Sequence, residues 1–156
     1  MITKEKVEKV QQKWGEGVVK IGNLMDDRES CENFTEQFLK ERYAFNKSEV
    51  LFKPTKTSHK QFRPSQEGAL SYFIAGNDKF PEDEGFALQP WTKVRFENNG
   101  MILQEKRAIA MGNYFFTDLS GGETKVEYTF GYTLSDNGEL LIDLHHSSLP
   151  YNPVSV

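Results

Sequence analysis

The sequence predicts an α+β fold, with N-terminal helices packed on a curved antiparallel sheet. Three observations carry this expectation. Apolar residues recur every three or four positions from Val7 to Tyr43, the period falls to two after Trp91, and Gly-containing turn signals divide the second half into strands. At 156 residues the chain suits a single domain over 1–156, long enough to bury a real core.

The first helix is read from Val7, Val10, Trp14, Val18, Ile21 and Met25, with Thr3 as N-cap and Glu5 in the first turn. Gly15, Gly17 and Gly22 weaken it, so packing must hold it. Asp26 to Ser30 breaks the pattern, and a second helix follows that turns Phe34, Phe38, Leu39 and Tyr43 inward. Val50-Leu51-Phe52 is a short strand candidate leading into Lys53-Pro54-Thr55-Lys56-Thr57. A third helical piece opens at Pro64-Ser65, carries Leu70, Tyr72, Phe73 and Ile74, and ends at Gly76-Asn77. The acidic stretch from Asp78 to Pro90 reads as a loop.

From Trp91 a four-strand antiparallel meander is expected. Val94 and Phe96 alternate with Lys93 and Arg95, Asn98-Asn99-Gly100 is a hairpin signal, and Met101 to Thr117 is one long strand bent near Gly112. Gly121-Gly122 turns the chain, and Val126, Tyr128, Phe130, Tyr132 and Leu134 share one face of the next strand. Asp136-Asn137-Gly138 leads to the last strand, which ends in His145-His146-Ser147-Ser148 before Pro150. A sheet wrapped around helices leaves a pocket at its open end.

Composition narrows the function. The net charge of −4 and the absence of a basic stripe with interleaved aromatics argue against a nucleic-acid partner. No apolar run approaches the roughly 18 residues of a membrane span, and Met1 to Lys13 is too charged for a signal peptide. The lone Cys31 excludes an internal disulfide and suits a reducing compartment. A cytoplasmic location is expected, or an organelle or the periplasm where a targeting segment has been removed.

The terminal cluster is the place to look for chemistry. Alternation puts His145 and Ser147 on one face and His146 and Ser148 on the other. Adjacent strand histidines cannot easily share one ion, and neither a Cys pair nor a His-Glu-x-x-His helix occurs, so no transition metal or other cofactor is expected, while the plentiful acidic residues leave room for a weak magnesium or calcium site. No Gly-x-Ser-x-Gly turn marks a nucleophilic serine, and no glycine-rich loop opens a helix for phosphate. What remains is a pocket of aromatics, hydroxyls and a histidine. Its physics suits a small substrate that gains negative charge, with histidine handling a proton. Which face is inward stays open: Ile142 and Leu144 share parity with His146 and Ser148, and a bulge could reverse the choice.

Five segments together resemble the iota-class carbonic anhydrases: Phe52-Lys53-Pro54-Thr55-Lys56, Ala69-Leu70-Ser71-Tyr72-Phe73, Gly112-Asn113-Tyr114-Phe115-Phe116-Thr117, Lys125-Val126-Glu127-Tyr128-Thr129-Phe130, and Leu144-His145-His146-Ser147-Ser148-Leu149-Pro150. The resemblance covers almost the whole chain, and the terminal His-His-Ser-Ser followed by Pro is its most specific part. It implies a cone-shaped α+β barrel of the nuclear transport factor 2-like type, a homodimer, and reversible hydration of carbon dioxide to bicarbonate without a metal. Carried over by motif, the catalytic residues are Thr55, Tyr72, His145 and Ser147. Thr57 is an alternative to Thr55. Thr55, Tyr72 and Ser147 would bind substrate, with Phe115 and Phe130 as apolar wall, and His145 would receive the water proton directly or by relay. The same fold type also hosts small-molecule lyases and isomerases. It hosts ligand-binding or oligomerisation modules as well, such as the association domain of calcium/calmodulin-dependent kinases.

Overall fold

A computed structural model describes residues 1–153; the last three residues of the expected domain lie outside it. Helix α1 spans Lys4–Asn23 and α2 spans Arg28–Arg42. Strand β1, Leu51–Lys53, precedes helix α3, Gln66–Ile74, and a short 3-10 turn covers Phe86–Leu88. Strands β2 (Trp91–Leu103), β3 (Arg107–Asp118), β4 (Glu123–Leu134) and β5 (Leu140–Ser148) complete the fold.

Each helix starts where its capping side chain allows. Thr3 accepts from the Lys6 amide, Asp27 from that of Ser30 and Ser65 from that of Gly68, each cap contributing about 1 kcal/mol. Helix α1 ends before Met25, which is exposed rather than part of the apolar ridge. Val7, Val10, Trp14, Val18 and Ile21 are buried. Gly17 is needed there, because a Cβ would stand 2.4 Å from the Phe38 ring.

The sheet order is β1-β5-β4-β3-β2. The expected meander is present, but β1 adds a fifth strand parallel to β5, pairing Phe52 with His145. Two turn readings need correction. Asn98-Asn99-Gly100 is not a hairpin but a bulge inside β2, and the chain reverses instead at Gln104–Lys106. The bend read at Gly112 is the other half of this irregularity: Gly112 lies opposite Asn98, and a Cβ there would stand 2.1 Å from the Glu97 carbonyl oxygen. The glycine lets the backbone of β2 kink inward, which curves the sheet.

A second bulge decides the site. Gly131 pairs with Leu144 and Tyr132 with Ile142, so Asp143 is the extra residue on β5. Ile142 therefore points inward before the bulge, and His145 and Ser147 point inward after it; all three are buried. On the outer side Arg107 Nη1 donates to Asp143 Oδ2 at 2.6 Å across the gap left by Gly131. Among the described residues, no helix is long and apolar enough to cross a membrane.

Candidate active site

Five elements deliver one row of polar groups into an aromatic core. Trp14 comes from the buried ridge of α1, and Tyr43 caps α2 and bridges to Ile142. Tyr114 is on the inner face of β3, while His145 and Ser147 are on that of β5. Thr55 follows β1, whose parallel pairing with β5 carries it to Ser147.

These groups touch in series. The Trp14 indole N–H donates to the Tyr43 hydroxyl at 3.1 Å, and that hydroxyl lies 2.8 Å from His145 Nδ1. On the other ring nitrogen, Nε2 is 3.0 Å from the Tyr114 hydroxyl, which is 2.6 Å from Ser147 Oγ. Ser147 Oγ is in turn 2.6 Å from Thr55 Oγ1. The His145 ring is held between Phe130, at 4.0 Å between centroids, and Phe52, at 4.8 Å, with the Trp14 ring edge-on at 5.7 Å.

Burial keeps the row uncharged at neutral pH. It pushes the His145 pKa well below the usual imidazole value, with a smaller push from His146. Burial likewise raises the Tyr43, Tyr114 and Tyr72 phenols, against hydrogen bonds that act the other way. Every phenol is therefore a hydrogen-bond donor and acceptor, and none is a ready anion. The nearby cation is Lys53, whose Nζ donates to the Ser147 carbonyl at 3.1 Å and whose pKa desolvation lowers.

The row opens at Thr55, which is half-buried, beside Tyr72. The Tyr72 oxygen accepts from the Lys56 amide at 3.1 Å and also faces the Thr55 hydroxyl. Tyr72 stacks on Phe86 at 5.6 Å, and both line a cavity of about 430 Å³ with Lys56, Glu82, Leu88 and Trp91. Glu82 is bound to the amides of Ser58, His59 and Lys60, which hold its pKa at about 2 and tie the loop after Thr55 to the cavity rim.

The structure thus brings Thr55, Tyr72, Ser147 and His145 to one site. Thr57 is used elsewhere, donating to the Gln61 carbonyl at 2.9 Å. Phe115 is on the outer face of the sheet, under the Arg95 guanidinium at 3.9 Å, because Tyr114 and Phe116 take the inner positions on either side of it. Phe130 backs the imidazole and is closed off from the cavity; Phe86 and Trp91 stand at its wall instead. The sequence reading missed Tyr114, Tyr43 and Trp14 as site residues. A tyrosine at an inward strand position among phenylalanines was the available signal, since a buried phenol needs a partner.

Fold and site define a nuclear transport factor 2-like α+β protein with a pocket of hydroxyls. Among the described residues, no group of three or more His, Cys, Asp or Glu side chains is arranged to hold a metal ion. The sequence profile of the family described as metal-independent carbonic anhydrase matches residues 5–149. A metal-independent carbonic anhydrase from Nostoc sp. is 39% identical over 153 residues, covering 96% of this chain and 75% of that protein. The crystal structure of a cyanobacterial iota-carbonic anhydrase complexed with bicarbonate is 39% identical, with a TM-score of 0.93 over 97% of this chain and 94% of that one. The chain belongs to the metal-independent, iota-class carbonic anhydrase family.

Two more distant structures share the fold alone. A proposed calcium/calmodulin-dependent protein kinase II association domain from Xanthomonas campestris has a TM-score of 0.63 at 20% identity, covering 96% of this chain and 89% of that one. A nuclear transport factor 2-like protein from Novosphingobium aromaticivorans has a TM-score of 0.58 at 8% identity, covering 97% and 84%.

Proposed function

We propose that this pocket interconverts carbon dioxide and bicarbonate, with Thr55 and Tyr72 facing the substrate and Ser147, Tyr114 and His145 supporting them from behind. The observation that carries this reading is the unbroken row of uncharged hydrogen-bond donors ending at Thr55. Free water has a pKa of about 15.7, and without a metal to lower it hydroxide cannot accumulate. The attacking water must therefore lose its proton as its oxygen meets carbon.

The Phe86 and Trp91 side of the cavity suits the apolar substrate, and the Tyr72 hydroxyl, with Thr55 beside it, suits the carboxylate that develops from it. A free lone pair on the Thr55 oxygen can orient the water. His145 is too deeply buried and too weakly basic to store the proton, so the proton leaves through the open rim toward solvent. In the reverse direction the bicarbonate hydroxyl is protonated from that same side. A homodimer is part of this reading. It is supported by an outer-face groove of about 430 Å³ that includes Met111 and His146, and sedimentation of the intact protein tests it.

The test is stopped-flow carbon dioxide hydration on chelator-treated protein, beside Tyr72→Phe and Ser147→Ala. Activity that survives chelation and falls in both variants is expected. No activity, with or without zinc, manganese or calcium, would transfer the reading to a ligand-binding module of the same fold.

A further inference from the structure

Trp14, Tyr43, His145, Tyr114, Ser147 and Thr55 form a series joined by five hydrogen bonds. The groups carry six hydrogens for those five bonds when the imidazole is neutral, so one hydrogen is left over. Where it goes depends on which way the series runs.

The two ends are chemically unequal. An indole N–H donates and cannot accept. Tyr43 therefore accepts from Trp14, and its own hydrogen needs an acceptor. The Tyr43 hydroxyl belongs to a residue only 1% exposed, and among the described residues it touches no polar side-chain atom besides Trp14 Nε1 and His145 Nδ1. Were Nδ1 the protonated nitrogen, Tyr43 would accept twice and its hydrogen would be stranded in an apolar core, with no further polar side chain to receive it. With Nδ1 bare, Tyr43 donates to it, Nε2–H donates to Tyr114, Tyr114 to Ser147 and Ser147 to Thr55. The surplus hydrogen then falls on Thr55, the half-buried end.

We infer that Trp14 and Tyr43 are positioning residues that fix the direction of the whole series, so that Thr55 offers its hydrogen outward, toward the Tyr72 hydroxyl that lines the cavity. Neither touches substrate. They act through four intervening bonds to keep the pocket end a donor, which favours an anionic carboxylate oxygen over a water proton. The inference deepens the anhydrase reading, but its readout is a ring tautomer and is independent of turnover.

Long-range proton–nitrogen correlation spectra of the intact protein test it, with the exposed His59 and His146 removed in turn as glutamine variants to assign His145. The wild type is expected to be protonated on Nε2 and bare on Nδ1; the opposite tautomer overturns the inference whatever the enzyme activity. Trp14→Gln offers the Tyr43 hydrogen an acceptor other than Nδ1, and Tyr43→Phe removes the group that keeps Nδ1 bare. In either variant that folds, the second tautomer is expected to appear, and bicarbonate binding to weaken on the order of tenfold, the scale of one hydrogen bond to a charged group. A wild-type tautomer with wild-type bicarbonate affinity in these variants also overturns it. A pure Nε2–H signal in an enzyme that proves inactive would instead sustain the inference and defeat the anhydrase reading.

Discussion

The hydroxyls of Tyr114 and Ser147 meet at 2.6 Å although their strands, β3 and β5, are not neighbours. The phenol of Tyr114 reaches over β4, where Val126 pairs with Tyr114 and Tyr128 pairs with Ser147. The bond is possible because the sheet curves, bringing inner faces of alternate strands together. It joins the imidazole to the pocket hydroxyls, so the site exists only when three strands are in register.

Tyr114→Phe should therefore separate His145 from Ser147 while leaving the ring packing in place. Loss of one preorganised donor at a developing oxyanion costs roughly a hundredfold to a thousandfold in kcat. Because Tyr114 acts through Ser147, the lower end is expected, on the order of a hundredfold. Stopped-flow hydration checks this, and a denaturation curve shows whether the fold persists. A Tyr114→Phe enzyme with wild-type kcat would remove Tyr114 from the site.

His145 makes stability depend on pH in a definite direction. Its folded-state pKa is depressed by burial below the ordinary value of 6.5, so in acid the unfolded chain binds a proton that the folded protein does not. Its contribution is fully present above about pH 6.5 and is lost as pH falls from there toward the folded pKa. The urea midpoint is expected to fall between pH 7 and pH 5, and less steeply in His145→Gln. Equal slopes in the two proteins would show that the imidazole is not held neutral by the fold.

Much of this was legible in the chain. Helical spacing located α1, α2 and α3, the turn glycines located the β3–β4 and β4–β5 connections, and the His-Ser cluster located the site. What failed has physical causes. Asn98-Asn99-Gly100 has hairpin chemistry, but the inward kink opposite Gly112 uses the same backbone freedom. The parity of His145 against Ile142 could not be read, because nothing in Leu140 to Ser148 shows that Asp143 is a bulge; its partner Arg107 is 36 residues away. Tyr43, Tyr114 and Trp14 looked like core because they are core, and only their mutual distances make them a series.

Gly131 provides a direct test of that bulge. A Cβ at this position would lie 2.8 Å from both Arg107 Nη2 and Leu144 Cβ, between β4 and the bulged strand. Gly131→Val should push β5 outward and shift the stretch after Asp143 that carries His145 and Ser147. A cost of about 1–3 kcal/mol is expected from overpacking, with kcat falling by more than the stability loss alone would produce. Denaturation and hydration assays on the same preparation separate the two. A destabilised variant with full kcat per folded molecule would show that the bulge does not set the site geometry.

Asp83 gives the sharpest link between stability and activity away from the hydroxyl row. Its two oxygens take both terminal nitrogens of Arg63 at 2.8 Å, and Oδ2 also accepts from Ser71 at 2.6 Å. Both charged side chains are fully buried. Arg63 belongs to the loop that follows Thr55, and Ser71 precedes Tyr72 on α3, so one carboxylate joins the two segments that face the substrate. Asp83→Asn leaves a buried guanidinium with only the more distant Glu82, at 3.8 Å, as its anionic partner. Breaking a buried pair from one side costs roughly 3–5 kcal/mol. A fall of that size in unfolding free energy is expected, together with a lower kcat/KM as Thr55 and Tyr72 lose their fixed spacing. Reverting the charge mismatch with Arg63→Met in the same chain should recover part of the stability without restoring kcat/KM. If stability and kcat/KM recover together, the pair serves the fold alone and does not position the pocket.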